Sequence, residues 1–258
     1  MAASQLRYTI EGQPDRPVLV LANSLAATSA MWDEQSTAWR ATWRLVRFDY
    51  AGHGDPESAD GSQAPATVDG IGADLLALLD SIGVQRFSFV GLSLGGMLGL
   101  RLAAAAPQRL DRLVVANCRY HQTPALEQQW TDRIEAVRAG GMEAIAAPTV
   151  ERWLTEAYRQ RRPDQATKIG TMIRSTSPAG YAAAAAAVRD FDARPWLDRV
   201  RCPMLVISGA QDAAAPTDHL GTLASQLRAH HIVLDPCAHL SCIEQADAFT
   251  RSAGNFLA

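Results

Sequence analysis

The chain has 258 residues, with 24 Lys and Arg against 27 Asp and Glu for a net charge of -3, and 48% of it is hydrophobic. That length and composition suit a globular chain with a sizeable core, either one large α/β domain or two small ones. The acidic balance argues against nucleic acid as the main partner, because phosphate binding needs a cationic face. Residues 1–12 hold no apolar core of signal-peptide length, and no uncharged apolar run reaches about 18 residues. The expectation is a soluble, unexported, cytoplasmic protein with no membrane partner.

Arg7 to Glu11 alternates as a short strand does, and Pro14 and Pro17 mark the turn after it. Pro17 to Ala22 is a continuous apolar run, which suits a strand covered on both faces of a parallel sheet. Asn23-Ser24-Leu25 and a small, polar stretch follow it, up to Met31 and Trp32. Trp43 to Tyr50 forms the next strand. Ala51-Gly52-His53-Gly54 then turns the chain, so His53 reads as a turn residue rather than a catalytic base. Thr67 can cap a helix whose apolar face carries Ile71, Leu75, Leu78 or Leu79, and Ile82, and which Gly83 ends.

The next stretch organises the rest. Phe87 to Val90 is a buried strand, Gly91-Leu92-Ser93-Leu94-Gly95-Gly96 turns it, and Met97 to Ala106 runs on as a helix that Pro107 stops. A strand that passes at once into a helix, with Gly on both sides of a Ser, is the nucleophile-elbow arrangement. The turn strains the residue at its apex, and glycine at the flanks leaves room for strand and helix to approach. Ser93 is thereby presented at the carboxyl end of a sheet, beside the positive end of a helix.

Leu110 to Ala116 is a further buried strand. Residues 119–198 change texture: Trp130, Arg133, Ile134 and Val137, then Ile145, Trp153 and Tyr158, then Ile173, Tyr181 and the Ala182–Ala187 run recur at helical spacing. Strands return at Met204 to Ser208, ending in Gly209-Ala210-Gln211-Asp212, and at His231 to Leu234, ending in Asp235-Pro236-Cys237-Ala238-His239. The expected organisation is a core formed by residues 1–118 and 199–258, with residues 119–198 inserted as a helical cap. The alternation of strand and helix predicts a mostly parallel sheet with helices on both faces.

A Ser hydroxyl is a poor nucleophile at neutral pH unless a base takes its proton and a third group orients that base. The elbow architecture supplies these in the order Ser, acid, His, on loops after later strands. His239 follows the last strand. His121, His219, His230 and His231 fall at the cap entrance, in a helix and at a strand start. Asp212 follows the strand at Met204 to Ser208, with Asp218 and Asp235 as rival acids, while the position after the preceding strand, Ala116-Asn117-Cys118, has no carboxylate. Ser93, Asp212 and His239 are therefore the expected catalytic residues, with the backbone amides of Leu25 and Leu94 as the oxyanion hole. Cys118, Cys202, Cys237 and Cys242 show no CxxC spacing and read as buried free thiols. One of Cys237 and Cys242, which flank His239, could line a pocket.

Leu21 to Leu25, Met31-Trp32-Asp33, Gly52-His53-Gly54, the elbow Gly91 to Gly96, Arg133 to Met142, Gly180 to Ala183 and His239-Leu240-Ser241 together resemble the 3-oxoadipate enol-lactonases of the α/β-hydrolase superfamily. The likeness spans nearly the whole chain, cap included. It departs at Ala51, where that family would carry Arg, and at Cys118-Arg119-Tyr120-His121, which replaces small residues. The resemblance implies an α/β-hydrolase fold and a serine hydrolase that opens a small carboxylate-bearing enol lactone, an intermediate of aromatic compound degradation, with no cofactor or metal. Arg133 first and Arg119 second would hold the substrate carboxylate, with Trp130 and Trp153 as apolar walls. A general carboxylesterase or lactonase, a cofactor-free haloperoxidase and a hydrolase-fold ligand receptor remain as alternatives, and the sequence leaves the oligomeric state open.

Overall fold

A computed structural model of the protein describes residues 6–54 and 67–258. Residues 1–5 and 55–66, which belong to the expected first core segment, lie outside the described residues. The strands are β1 (Arg7–Glu11), β2 (Val18–Ala22), β3 (Arg44–Asp49), β4 (Phe87–Leu92), β5 (Leu110–Ala116), β6 (Met204–Gly209) and β7 (His230–Leu234). They form one sheet in the order β1-β3-β2-β4-β5-β6-β7, with β1 antiparallel to β3 and every other pair parallel.

The burial of each strand follows from that order. Central β4 and β6 are buried at every residue, as their unbroken apolar runs require, whereas edge strand β1 exposes Tyr8 and Ile10. Phe87 and Phe89 pack with ring centroids 6.4 Å apart. Each such ring contributes about 2–3 kcal/mol of apolar burial.

Helices α1 (Asp33–Trp39), α2 (Val68–Ser81), α3 (Leu94–Ala105), α9 (Thr217–Leu227), α10 (Ser241–Glu244) and α11 (Ala246–Leu257) cover the two faces. The Thr67 hydroxyl accepts the Gly70 amide at 3.0 Å and starts α2, and Gly83, at a φ of 73°, follows the helix end. Between β5 and β6 the chain forms α4 (Pro124–Gly140), α5 (Glu143–Trp153), α6 (Glu156–Arg161), α7 (Pro163–Arg174) and α8 (Pro178–Arg189). The run Ala182–Ala187 lies in α8, which packs along α4. A bridge between His121 and Asp192, with the Ala193 amide donating to Tyr120 O at 2.8 Å, pins the two ends of this helical segment together.

The connection from β3 to β4 passes over β2, so the chain reverses its direction across the sheet beside β4. In open α/β sheets ligands bind outside the carboxyl ends of the strands at such a reversal. The residues that follow β2, β3, β4, β5, β6 and β7 all gather at that edge. No helix among the described residues is long and apolar enough to cross a membrane.

Candidate active site

Ser93 stands between the last residue of β4 and the first of α3, with φ 58° and ψ -114°. This conformation is costly for a residue with a Cβ. The surrounding structure enforces it: the Ser93 amide donates to Ala116 O at 2.9 Å and its carbonyl accepts from the Met97 amide at 3.0 Å. The flanking glycines are required by contact rather than by dihedral angle. A Cβ on Gly95 would stand 2.1 Å from Ala22 O, and one on Gly91 would stand 2.1 Å from Gly95 O.

Two backbone amides, one in the loop after β2 and one next to Ser93 in sequence, have no acceptor among the described residues. In the loop after β2 the Ser24 amide donates to Met31 Sδ at 3.4 Å, the Ala26 amide to His53 Nε2 at 3.1 Å and the Ala27 amide to Ser24 O at 3.1 Å. Leu25, between them, has no acceptor for its amide among the described residues. The same holds for Leu94, the first residue of α3, whereas the next amide, Gly95, donates to Asn23 O at 2.9 Å. Buried amides are almost always paired, so two unpaired ones are donors left free to bind an acceptor from outside the chain.

His239, in the loop after β7, places Nδ1 2.9 Å from Asp212 Oδ2, and both side chains are nearly inaccessible. Asp212 also accepts from the amides of Ala214 at 2.8 Å and Ala215 at 3.1 Å, and from Asn117 Nδ2 at 2.9 Å. Burial alone would raise its carboxyl. The His239 imidazole, with Asn117 and the Ala215 amide, outweighs that effect and holds it below the usual carboxylate range. With Nδ1 engaged, Nε2 is the ring atom left to act on a hydroxyl.

Asn117 is a residue the sequence reading passed over. It occupies the loop after β5, the alternative acid position, at a φ of 46°. There its amide ties together Asp212, Ala238 O at 3.2 Å and the Ser241 hydroxyl. Asn is among the few residues enriched at positive φ, the one local signal it carried. The His239 loop is also held from the helical segment: the amides of His239 and Leu240 donate to Trp153 O at 3.1 and 3.0 Å, and the Trp153 ring stacks 6.1 Å from the imidazole. Buried Glu244 completes the tie, accepting from the Ala238 amide at 2.8 Å and from the Thr155 amide at 3.2 Å.

Ser93 and His239 line one cavity of about 130 Å3 between the sheet edge and the helical segment. Leu25, Arg119, Trp130, Arg133 and Trp153 line it too, so every expected substrate-binding residue reaches it. Arg133 is held by Tyr181 Oη at 3.2 Å and Thr149 Oγ1 at 3.0 Å, with its guanidinium 5.1 Å over the Trp130 ring. Arg119 donates to Ala214 O at 2.7 Å.

The sequence reading missed Arg152 and Gln122, which share the wall. Gln122 is buried, and neither atom of its amide has a partner among the described residues. Cys118, Cys237 and Cys242 are buried free thiols, as expected, whereas Cys202 is only half-buried, and the alternative that Cys237 or Cys242 lines the pocket does not hold. Both are buried away from the cavity, and burial pushes their thiols well above the usual range, so proximity to His239 in sequence gives them no place at the site.

A serine at a strained strand-to-helix turn, an imidazole backed by a buried carboxylate, and unpaired amides at the carboxyl edge of a mostly parallel sheet define one class of protein. The chain belongs to the family with the alpha/beta hydrolase fold, whose model matches residues 17–246. Within it, the chain is 32% identical to 3-oxoadipate enol-lactonase 2 of Acinetobacter baylyi, over 96% of this chain and 91% of that one. The crystal structure of the enol-lactonase from Burkholderia xenovorans superposes with a TM-score of 0.92 at 35% identity, covering 99% of this chain and 98% of that one. A thermophilic esterase from Thermogutta terrifontis, solved with malate bound, is 26% identical with a TM-score of 0.88, covering 98% and 92%. The expected resemblance to the enol-lactonases, and the class of carboxylic ester hydrolase, both stand.

Proposed function

We propose that the protein is a serine hydrolase that opens a small enol lactone carrying a carboxylate, by way of an acyl-enzyme on Ser93. The observation that carries the carboxylate is the charge of the cavity wall. Arg119, Arg133 and Arg152 line it, no Asp or Glu does, and none of the three makes an ion pair among the described residues. Guanidinium groups with no carboxylate partner around a partly open cavity suit an anionic ligand, because Arg pairs bidentately with carboxylates. The two enol-lactonase relatives support the ring, and the neighbour that holds malate supports the anion.

In this reading Ser93 Oγ attacks the ring carbonyl while His239 Nε2 accepts its proton, and Asp212 keeps the imidazole in the Nδ1–H tautomer. The amides of Leu25 and Leu94 hold the oxyanion, each contributing about 3–4 kcal/mol to the barrier reduction. Collapse breaks the ring C–O bond. The enolate that leaves takes the proton from His239 and becomes the ketone. Water, deprotonated by His239, then attacks the acyl-enzyme and releases Ser93. The helical segment serves as a cap, with Trp130 and Trp153 as walls and Arg133 as first partner of the substrate carboxylate.

The test is a steady-state comparison of an enol lactone bearing a carboxylate, its neutral methyl ester and a neutral aryl ester. The carboxylate is expected to raise kcat/KM by about tenfold or more, the scale of one charged hydrogen bond, and Arg133→Ala to remove that advantage. Equal efficiency on all three, unchanged in Arg133→Ala, overturns the lactonase reading and leaves a general esterase.

A further inference from the structure

His53 is buried, lies 27 residues from Ala26 in sequence, and touches the loop that carries the Leu25 amide. Its Nε2 accepts the Ala26 N–H at 3.1 Å, so that nitrogen carries a lone pair and the ring proton sits on Nδ1, which faces Ala51 O at 3.1 Å. Ala26 itself has a φ of 63°, rare for a residue with a Cβ. The loop is thus fixed at both ends. At Asn23 the carbonyl accepts from the Gly95 amide at 2.9 Å and from the Tyr50 hydroxyl at 2.8 Å, and at Ala26 the amide is bound by the imidazole. Leu25, between these anchors, is left with its amide unpaired.

We infer that His53 is a positioning residue: by binding the Ala26 amide it holds the loop in the one conformation that aims the Leu25 N–H at the oxyanion site beside Ser93. The imidazole touches no substrate and moves no proton. It works because it accepts at one nitrogen and donates at the other, which suits a neutral ring. Burial pushes its pKa down to about 4, so the ring stays neutral at ordinary pH. Without an acceptor there, the Ala26 amide would be an unpaired buried donor. The loop would relieve it by rotating, and that rotation moves the adjacent amide. Ser29 N, bound to Asp49 Oδ1 at 2.6 Å, anchors the next stretch of chain and would confine the change to residues 24–28.

The inference rests on the proposed oxyanion role of Leu25, and its experiment separates the two. His53→Leu, His53→Gln and Ser93→Ala are assayed with a chromogenic short-chain ester, together with binding of an alkylboronic acid, which mimics the tetrahedral intermediate. His53→Leu is expected to lower kcat by about tenfold to a hundredfold, less than outright loss of an oxyanion donor, with KM little changed and boronate affinity reduced by a similar factor. In His53→Gln the side-chain oxygen can accept from Ala26 and its NH2 can donate to Ala51, so most of both losses is expected to be restored. If Ser93→Ala abolishes turnover while His53→Leu keeps wild-type kcat and boronate affinity, the inference falls and the proposed function stands. If kcat, KM and unfolding midpoint all shift together in both His53 variants, with no rescue by Gln, His53 is structural and the inference falls. If Ser93→Ala turns over like the wild type, both fall.

Discussion

Replacing Ser93 by glycine and by alanine isolates the strain stored at the elbow. At φ 58° and ψ -114° a residue with a Cβ carries about 1–3 kcal/mol of conformational cost. Glycine adopts positive φ freely, but loses about 0.5–1 kcal/mol more backbone entropy on folding. Alanine keeps the Cβ and therefore the strain. Because the Ser93 hydroxyl has no hydrogen-bond partner among the described residues, both variants lose equally little there. Ser93→Gly is therefore expected to be more stable than Ser93→Ala by about 1 kcal/mol, or roughly 2–4 °C in Tm for a chain of this size. The assay is urea unfolding and calorimetry on the two variants, with the same pair of substitutions at Ser225 as control. Ser225 is exposed within α9, and there glycine should be the less stable by about 1 kcal/mol. A glycine variant less stable than alanine at both positions would refute the idea that the fold holds Ser93 under strain.

Two further outcomes concern stability. Burial holds His53 at about 4 in the fold against 6.5 ordinarily, and His219 likewise through burial beside Arg119 and His121. Between those limits the unfolded chain binds protons the folded chain refuses, so this stability is complete above pH 6.5 and is lost as pH falls towards 4. His53 alone accounts for about 3 kcal/mol, readable as a falling urea midpoint across pH 7 to 4, and a midpoint that stays flat there contradicts it. Gly95→Ala puts a Cβ 2.1 Å from Ala22 O. Overpacking of about 3 kcal/mol outweighs a helix-propensity gain of about 1 kcal/mol, so a net Tm loss of roughly 4–8 °C is expected, measurable by calorimetry.

The strands, the strained turn at Ser93 and the loops that bring Asp212 to His239 were legible because they rest on local signals: apolar runs, paired glycines, and loops closing strands. The proposed donor at Leu25 could be read only through its place after β2, since a backbone amide leaves no side-chain trace. Contacts between distant loops were not legible. His53 is indeed a turn residue, with its amide bound to Tyr50 O at 2.9 Å, but only the fold brings its ring to Ala26. Asn117 looked like a missing acid and instead holds the acid that is present. The carbonyl of Trp153, which binds two amides of the His239 loop, is invisible to any reading of side chains. Cys237 and Cys242 show the converse, since adjacency to His239 in sequence did not bring them to the cavity.

The most direct measurement is peptide mass spectrometry of the protein quenched in acid during turnover of a saturating chromogenic ester. The expected result is a chain heavier by one acyl group, carried on the peptide containing Ser93 and absent in Ser93→Ala, which no longer turns over. An acyl group on another residue, or turnover at the wild-type rate in Ser93→Ala with no adduct at any quench time, would contradict the account.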